Sequence, residues 1–152
     1  MIKEEIYNIN NIIEKVENVL NSLINGRQSD MLDPTQAISL GVLLQTKAMK
    51  NASIIRNKYI ELGNRRKEYL EEYNKTRQEL SNTYDLYKLN EKKVERMCLE
   101  ENEQLSEIQK KIIDLEADIK GLKEETKYIG YLSKSWESII DTIKYEWKEA
   151  GR

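Results

Sequence analysis

Apolar residues recur along this chain in alternating steps of four and three, the spacing of helices that bury one stripe against another helix. In the first segment Ile2, Ile6, Ile9, Ile13, Val16, Leu20 and Leu23 keep that rhythm and predict an amphipathic helix. The pattern stops at Asn25-Gly26, a helix-ending pair, and the polar stretch from Arg27 to Leu32 reads as a short loop. Asp33-Pro34-Thr35-Gln36 then restarts a helix. Asp33 suits the N-cap, where its carboxylate accepts free amide hydrogens. Pro34 suits the first helical position, and Gln36 stands where a capping box closes.

The helix that follows, to about Leu62, has a broad apolar face. Ala37, Gly41, Leu44, Ala48, Ala52, Ile55, Tyr59 and Leu62 share one side, and Ile38, Val42, Met49 and Ile60 flank it, enough to touch two neighbours. Its small residues admit a close-packed partner helix. Gly63-Asn64 marks the expected break. From Tyr73 to Trp147 the four-three spacing runs through eleven heptads without a slip. Arg77, Glu91, Glu101 and several tyrosines interrupt the early part. Leu105, Ile108, Ile112, Leu115, Ile119 and Leu122 form the strong aliphatic seam to which oligomerisation is assigned.

A continuous helix from Arg65 to Lys127 would run about 95 Å at 1.5 Å per residue. It must therefore pair with another chain or fold back near Asn90 or Asn102, and the sequence leaves both open. Gly130 is expected to loosen the helix before a last amphipathic segment, whose stripe of Trp136, Ile140, Ile143 and Trp147 is read as a partner-docking surface. The expected fold is all-α, with long heptad-bearing helices forming a coiled coil or helical-hairpin bundle, oligomeric and elongated. Its parts are residues 1–33 (amphipathic helix and loop), 34–67 (basic helix), 68–127 (heptad helix) and 128–152 (docking helix).

Composition narrows the function. Hydrophobic residues make up 39% and charged residues 34%, Phe is missing, and mean hydropathy is −0.75, so narrow apolar seams are expected in place of a large core. There is no histidine and one cysteine, Cys98, which removes the commonest general base and metal ligand together with every Ser-His or Cys-His pairing. No phosphate-cradling glycine motif occurs. The expectation is a non-enzymatic protein with no catalytic residues, metal, cofactor or small-molecule substrate. A single thiol fits a reducing cytoplasm, and no apolar run is long enough for a membrane span.

Charge is −2 overall but unevenly placed. Residues 34–67 carry Lys47, Lys50, Arg56, Lys58, Arg65, Arg66 and Lys67 against Glu61 alone, a net of +6. Basic grooves interleaved with aromatic platforms are what single-stranded nucleic acid requires. Lys47, Lys50, Lys58, Arg65, Arg66 and Lys67 are therefore candidate phosphate contacts, with Tyr59 and Tyr69 as candidate stacking rings. The same helix would equally pair with an acidic one, so nucleic acid and protein both stand as partners, beside a second copy of the chain.

The C-terminal stretch YIGYLSKSWESIIDTIKYEWKEAGR, through Tyr128, Gly130, Leu132, Asp141, Ile143, Lys144 and Glu149-Ala150-Gly151, resembles the end of phage recombination mediators of the UvsY type. That resemblance implies an oligomeric helical protein of the host cytoplasm. It would bind single-stranded DNA and help load a recombinase in place of a single-strand binding protein.

Overall fold

A computed structural model describes residues 9–25 and 32–151; among them all regular structure is helical and there is no strand. After a 3-10 turn at Ile9–Asn11 come α1 (Ile12–Ile24), α2 (Pro34–Ser81), a 3-10 turn at Leu86–Lys88, α3 (Glu91–Glu101) and α4 (Glu103–Glu149). The seam positions Ile2 and Ile6 and the loop residues 26–31 lie outside the described residues. The capping box forms as its chemistry requires. The Gln36 amide donates to Asp33 Oδ1 at 2.8 Å, and the Asp33 amide donates to Gln36 Oε1 at 3.2 Å.

Three expected features are revised. α2 passes Gly63-Asn64 unbroken for 48 residues, and α4 passes Gly130 unbroken for 47. A glycine costs a helix about 1 kcal/mol, which packed residues on either side offset. The third revision concerns the unslipped register from Tyr73, which does not describe one helix. α2 ends at Ser81, where the Thr83 and Tyr84 amides both donate to the Leu80 carbonyl, at 3.1 and 2.9 Å. Asn90 caps α3 through Lys93 N at 2.8 Å, and extended Asn102 separates α3 from α4. A fold-back, one of the two alternatives the sequence leaves open, is present, and it begins before Asn90, at the polar run Ser81–Asp85.

The chain forms two units, residues 1–54 with 122–152, and residues 55–121. In the first, Ile12 and Val16 of α1 meet Ala37, Leu40 and Leu44 of α2 and Ile129, Leu132, Trp136 and Ile143 of α4 in one buried cluster. α2 and α4 run in opposite directions there, since Asn51 meets Thr126 while Ala37 meets Trp136. In the second unit, Leu80, Leu86, Val94, Cys98 and Leu105 form one cluster, and Leu62, Leu115 and Ile119 another.

Candidate interaction surfaces

The basic helix spends much of its charge inside the chain. In the first unit Lys47 Nζ lies 3.6 Å from Glu125. In the second, Lys58 pairs with Asp118 at 3.3 Å, Arg66 with Glu116 at 2.9 Å, and Arg65 with Glu68 one turn along at 3.0 Å. These pairs are partly exposed, worth about 0–1 kcal/mol each, so the three that reach Glu125, Asp118 and Glu116 align α2 with α4 more than they stabilise the fold. Lys50 and Lys67 are exposed and have no ion pair among the described residues.

Tyr69 is not available as a stacking platform. Its ring stacks on Tyr73 with centroids 6.1 Å apart, and its hydroxyl donates to Glu95 at 3.1 Å. Burial first, then the Glu95 carboxylate, hold its pKa well above the ordinary phenol value. Tyr59 is 44% exposed. Cys98 is fully buried, and burial raises its thiol pKa, so little reactive thiolate forms.

The aliphatic seam assigned to oligomerisation is covered within the chain. Leu105, Ile108, Leu115 and Ile119 are buried, and Ile112 packs half-buried against Leu62 and its neighbours. Leu122 is half-buried. The seam stays dry because α2 folds back on α4, which removes the need for a second chain at these positions. The C-terminal stripe is likewise revised: Trp136 and Ile143 are buried, Ile140 packs against the same core, and Trp147 is half-buried.

Two asparagines make hydrogen bonds from one helix to another. Asn51, 1% exposed, donates to Glu125 Oε1 at 3.0 Å and Thr126 Oγ1 at 3.3 Å. In the second unit Asn102 donates to Thr76 Oγ1 at 2.9 Å and to Glu72 at 3.2 Å, while its own Oδ1 accepts from Leu105 N at 3.3 Å. A buried polar residue in a helix seam fixes which residues may face each other.

What remains outward on α2 in the first unit is a second apolar row. Ile38, Val42 and Met49 are 42%, 56% and 74% exposed, spaced four and then seven apart, with exposed Gln45 between Val42 and Met49. Beside the row lies a groove of about 150 Å³ over Gly41, walled by Trp136 and Ile140 and edged by Glu137. The sequence marked these three residues as a flank able to meet a second neighbour; their exposure singles them out. No group of three or more Cys, Asp or Glu placed to hold a metal ion occurs among the described residues, nor any helix long and apolar enough to cross a membrane. Comparison with protein-family models, curated proteins and solved structures gives no match.

Proposed function

We propose that the chain is a non-catalytic helical interaction protein that presents a helix face to another protein, as an adaptor, an assembly chaperone or a small inhibitor of an enzyme. The observation that carries this reading is the wet row Ile38, Val42 and Met49 beside the groove over Gly41. Aligned exposed apolar side chains next to an apolar groove are what a helix-in-groove contact uses. The packing of α2 on α4 is read as an antiparallel coiled coil, and the site of action as the cytoplasm, where the buried Cys98 thiol stays reduced.

A second reading, a phage-type accessory factor for recombination on single-stranded DNA, is favoured by one observation. Arg56 and Lys67 of the second unit are exposed and make no ion pair among the described residues, and Tyr59 is partly exposed. The two readings separate in paired measurements. The wild-type chain and a Val42→Glu/Met49→Glu variant are used as bait in extract of the producing cells, and a labelled single-stranded oligonucleotide is titrated with each at low and moderate salt. The proposal expects proteins retained by the wild type and lost by the folded variant, with flat anisotropy. Salt-sensitive micromolar oligonucleotide binding that Arg56→Glu/Lys67→Glu removes would overturn it in favour of the second reading.

A further inference from the structure

In the second unit, the outward side of α2 repeats in the open the chemistry by which its inward side holds α4. Arg56, Ile60, Gly63, Lys67, Leu70 and Asn74 step by four, three, four, three and four, and each of them is exposed. At 100° per residue they fall within an arc of about 80°, one stripe along one face. We propose that this stripe docks an acid-bearing amphipathic helix of another protein, with carboxylates on Arg56 and Lys67 and apolar side chains on Ile60 and Leu70. The stripe belongs to a different unit from the row that carries the proposed function, and neither face depends on the other.

The inward side shows what such a face binds. There Leu62 packs on Leu115 and Ile119, while one turn to either side Lys58 pairs with Asp118 at 3.3 Å and Arg66 with Glu116 at 2.9 Å. α4 thus meets α2 here with aliphatic side chains beside carboxylates. About 120° round the helix, Ile60 and Leu70 stand 58% and 57% exposed, alternating with Arg56 and Lys67. Neither cation has an ion pair among the described residues. No acid stands within the stripe, and Glu71 at its edge forms no ion pair with Lys67.

Three features select the occupant. The four-three spacing is that of a helix-on-helix seam, whereas strand side chains repeat every second residue. At Gly63 nothing lies within 4 Å of the position a Cβ would take, so a partner backbone can come closest at the middle of the stripe. Arg56 and Lys67 stand eleven residues apart, about 16 Å or three turns, so the partner's carboxylates should recur about eleven positions apart on its own seam. A basic partner would be repelled by the two cations. Nucleic acid would use the cations and leave Ile60 and Leu70 wet, since aliphatic side chains offer no ring for a base to stack on.

The test uses labelled helical peptides of about 20 residues, alike but for two seam positions eleven apart that carry Glu, Gln or Lys. Each is titrated with the full chain in fluorescence anisotropy at low and moderate salt. The Glu peptide is expected to bind with salt-sensitive micromolar affinity, the Gln peptide at least about tenfold more weakly, and the Lys peptide not at all. Leu70→Glu should abolish binding with far-UV circular dichroism unchanged. Arg56→Glu/Lys67→Glu should lose the Glu peptide and take up the Lys peptide, an exchange that misfolding cannot produce. Val42→Glu/Met49→Glu, in the other unit, should leave the titration unchanged. Flat titrations, or equal affinity for the three peptides, would overturn the docking and leave the first unit's row, tested by capture, in place. Oligonucleotide binding that Arg56→Glu/Lys67→Glu removes and Leu70→Glu spares would overturn it in favour of nucleic acid on the same cations.

Discussion

The indole N–H of Trp136 donates to the carbonyl oxygen of Ala37 at 2.7 Å, across 99 residues of sequence. The carbonyl belongs to the first turn of α2, and the ring reaches it because Gly41, one turn on, offers no side chain. Trp136→Phe keeps most of the buried ring area and removes the donor. An expected loss of about 1 kcal/mol, read from urea unfolding, separates that hydrogen bond from the packing, whereas Trp136→Ala should cost about 3–5 kcal/mol. A Trp136→Phe variant as stable as the wild type would show that the bond contributes nothing net.

Glycines in the long helices should respond oppositely to substitution. Gly63 has open space where a Cβ would stand, so Gly63→Ala is expected to stabilise by about 0.5–1 kcal/mol through helix propensity. At Gly41 a larger side chain collides with Trp136, and Gly41→Leu should destabilise by about 1–3 kcal/mol. Thermal unfolding of the two variants tests the contrast, and a destabilised Gly63→Ala would argue against a continuous α2.

How much of this was legible in the sequence depends on whether the deciding signal was local. The Asp33–Gln36 capping box needs only neighbouring residues, and it forms as read. The seam Leu105–Leu122 was assigned to oligomerisation, but periodicity cannot say which helix covers a seam; here α2 covers Leu115 and Ile119, through Leu62. The register that ran on from Tyr73 misled because heptad spacing can persist through a turn. Tyr84 and Tyr87 kept the count while standing 51% and 97% exposed in a polar loop. Trp136, read as the start of a docking stripe, is core because of Gly41, a complementarity between positions far apart in the chain. The basic cluster was visible as composition, but its neutralisation by Asp118, Glu116 and Glu125 required the fold-back to be known.

Alkaline solution should loosen the second unit. The pKa values of Tyr69, Tyr73 and Cys98 are all raised, in each case with burial as the largest cause. A raised value means the folded state holds its protons more tightly than the unfolded chain does. The stability these groups contribute is therefore complete below their unfolded values, about 8.5 for a thiol and about 10 for a phenol, and is lost as pH rises beyond them. Melting temperature should be flat between about pH 7 and 8 on this account and fall progressively above about pH 9. Tyr69→Phe should make the fall shallower, and a decline equally steep in that variant would remove Tyr69 from the cause.

Buried Asn51 and half-buried Asn102 should act on specificity and on stability in different proportions. Asn102 caps α4 through Leu105 N and ties the break to Thr76, so Asn102→Ala loses both and should cost about 1–3 kcal/mol. Asn51 instead joins the middle of α2 to α4, where Thr126 also donates to the Leu122 carbonyl and Glu125 also meets Lys47. Its neighbours keep partners when it is removed, so Asn51→Leu should leave stability within about 1 kcal/mol of the wild type or raise it. What Asn51→Leu should lose is uniqueness of register, because an all-aliphatic seam tolerates a slide by one heptad that a buried amide facing Thr126 forbids. Cysteines placed at Lys47 and Glu125 report this directly. They should crosslink in the Asn51 background as one product, and in the Asn51→Leu background with reduced yield. An undiminished yield with unchanged stability would mean that register is set by the Trp136–Gly41 fit alone.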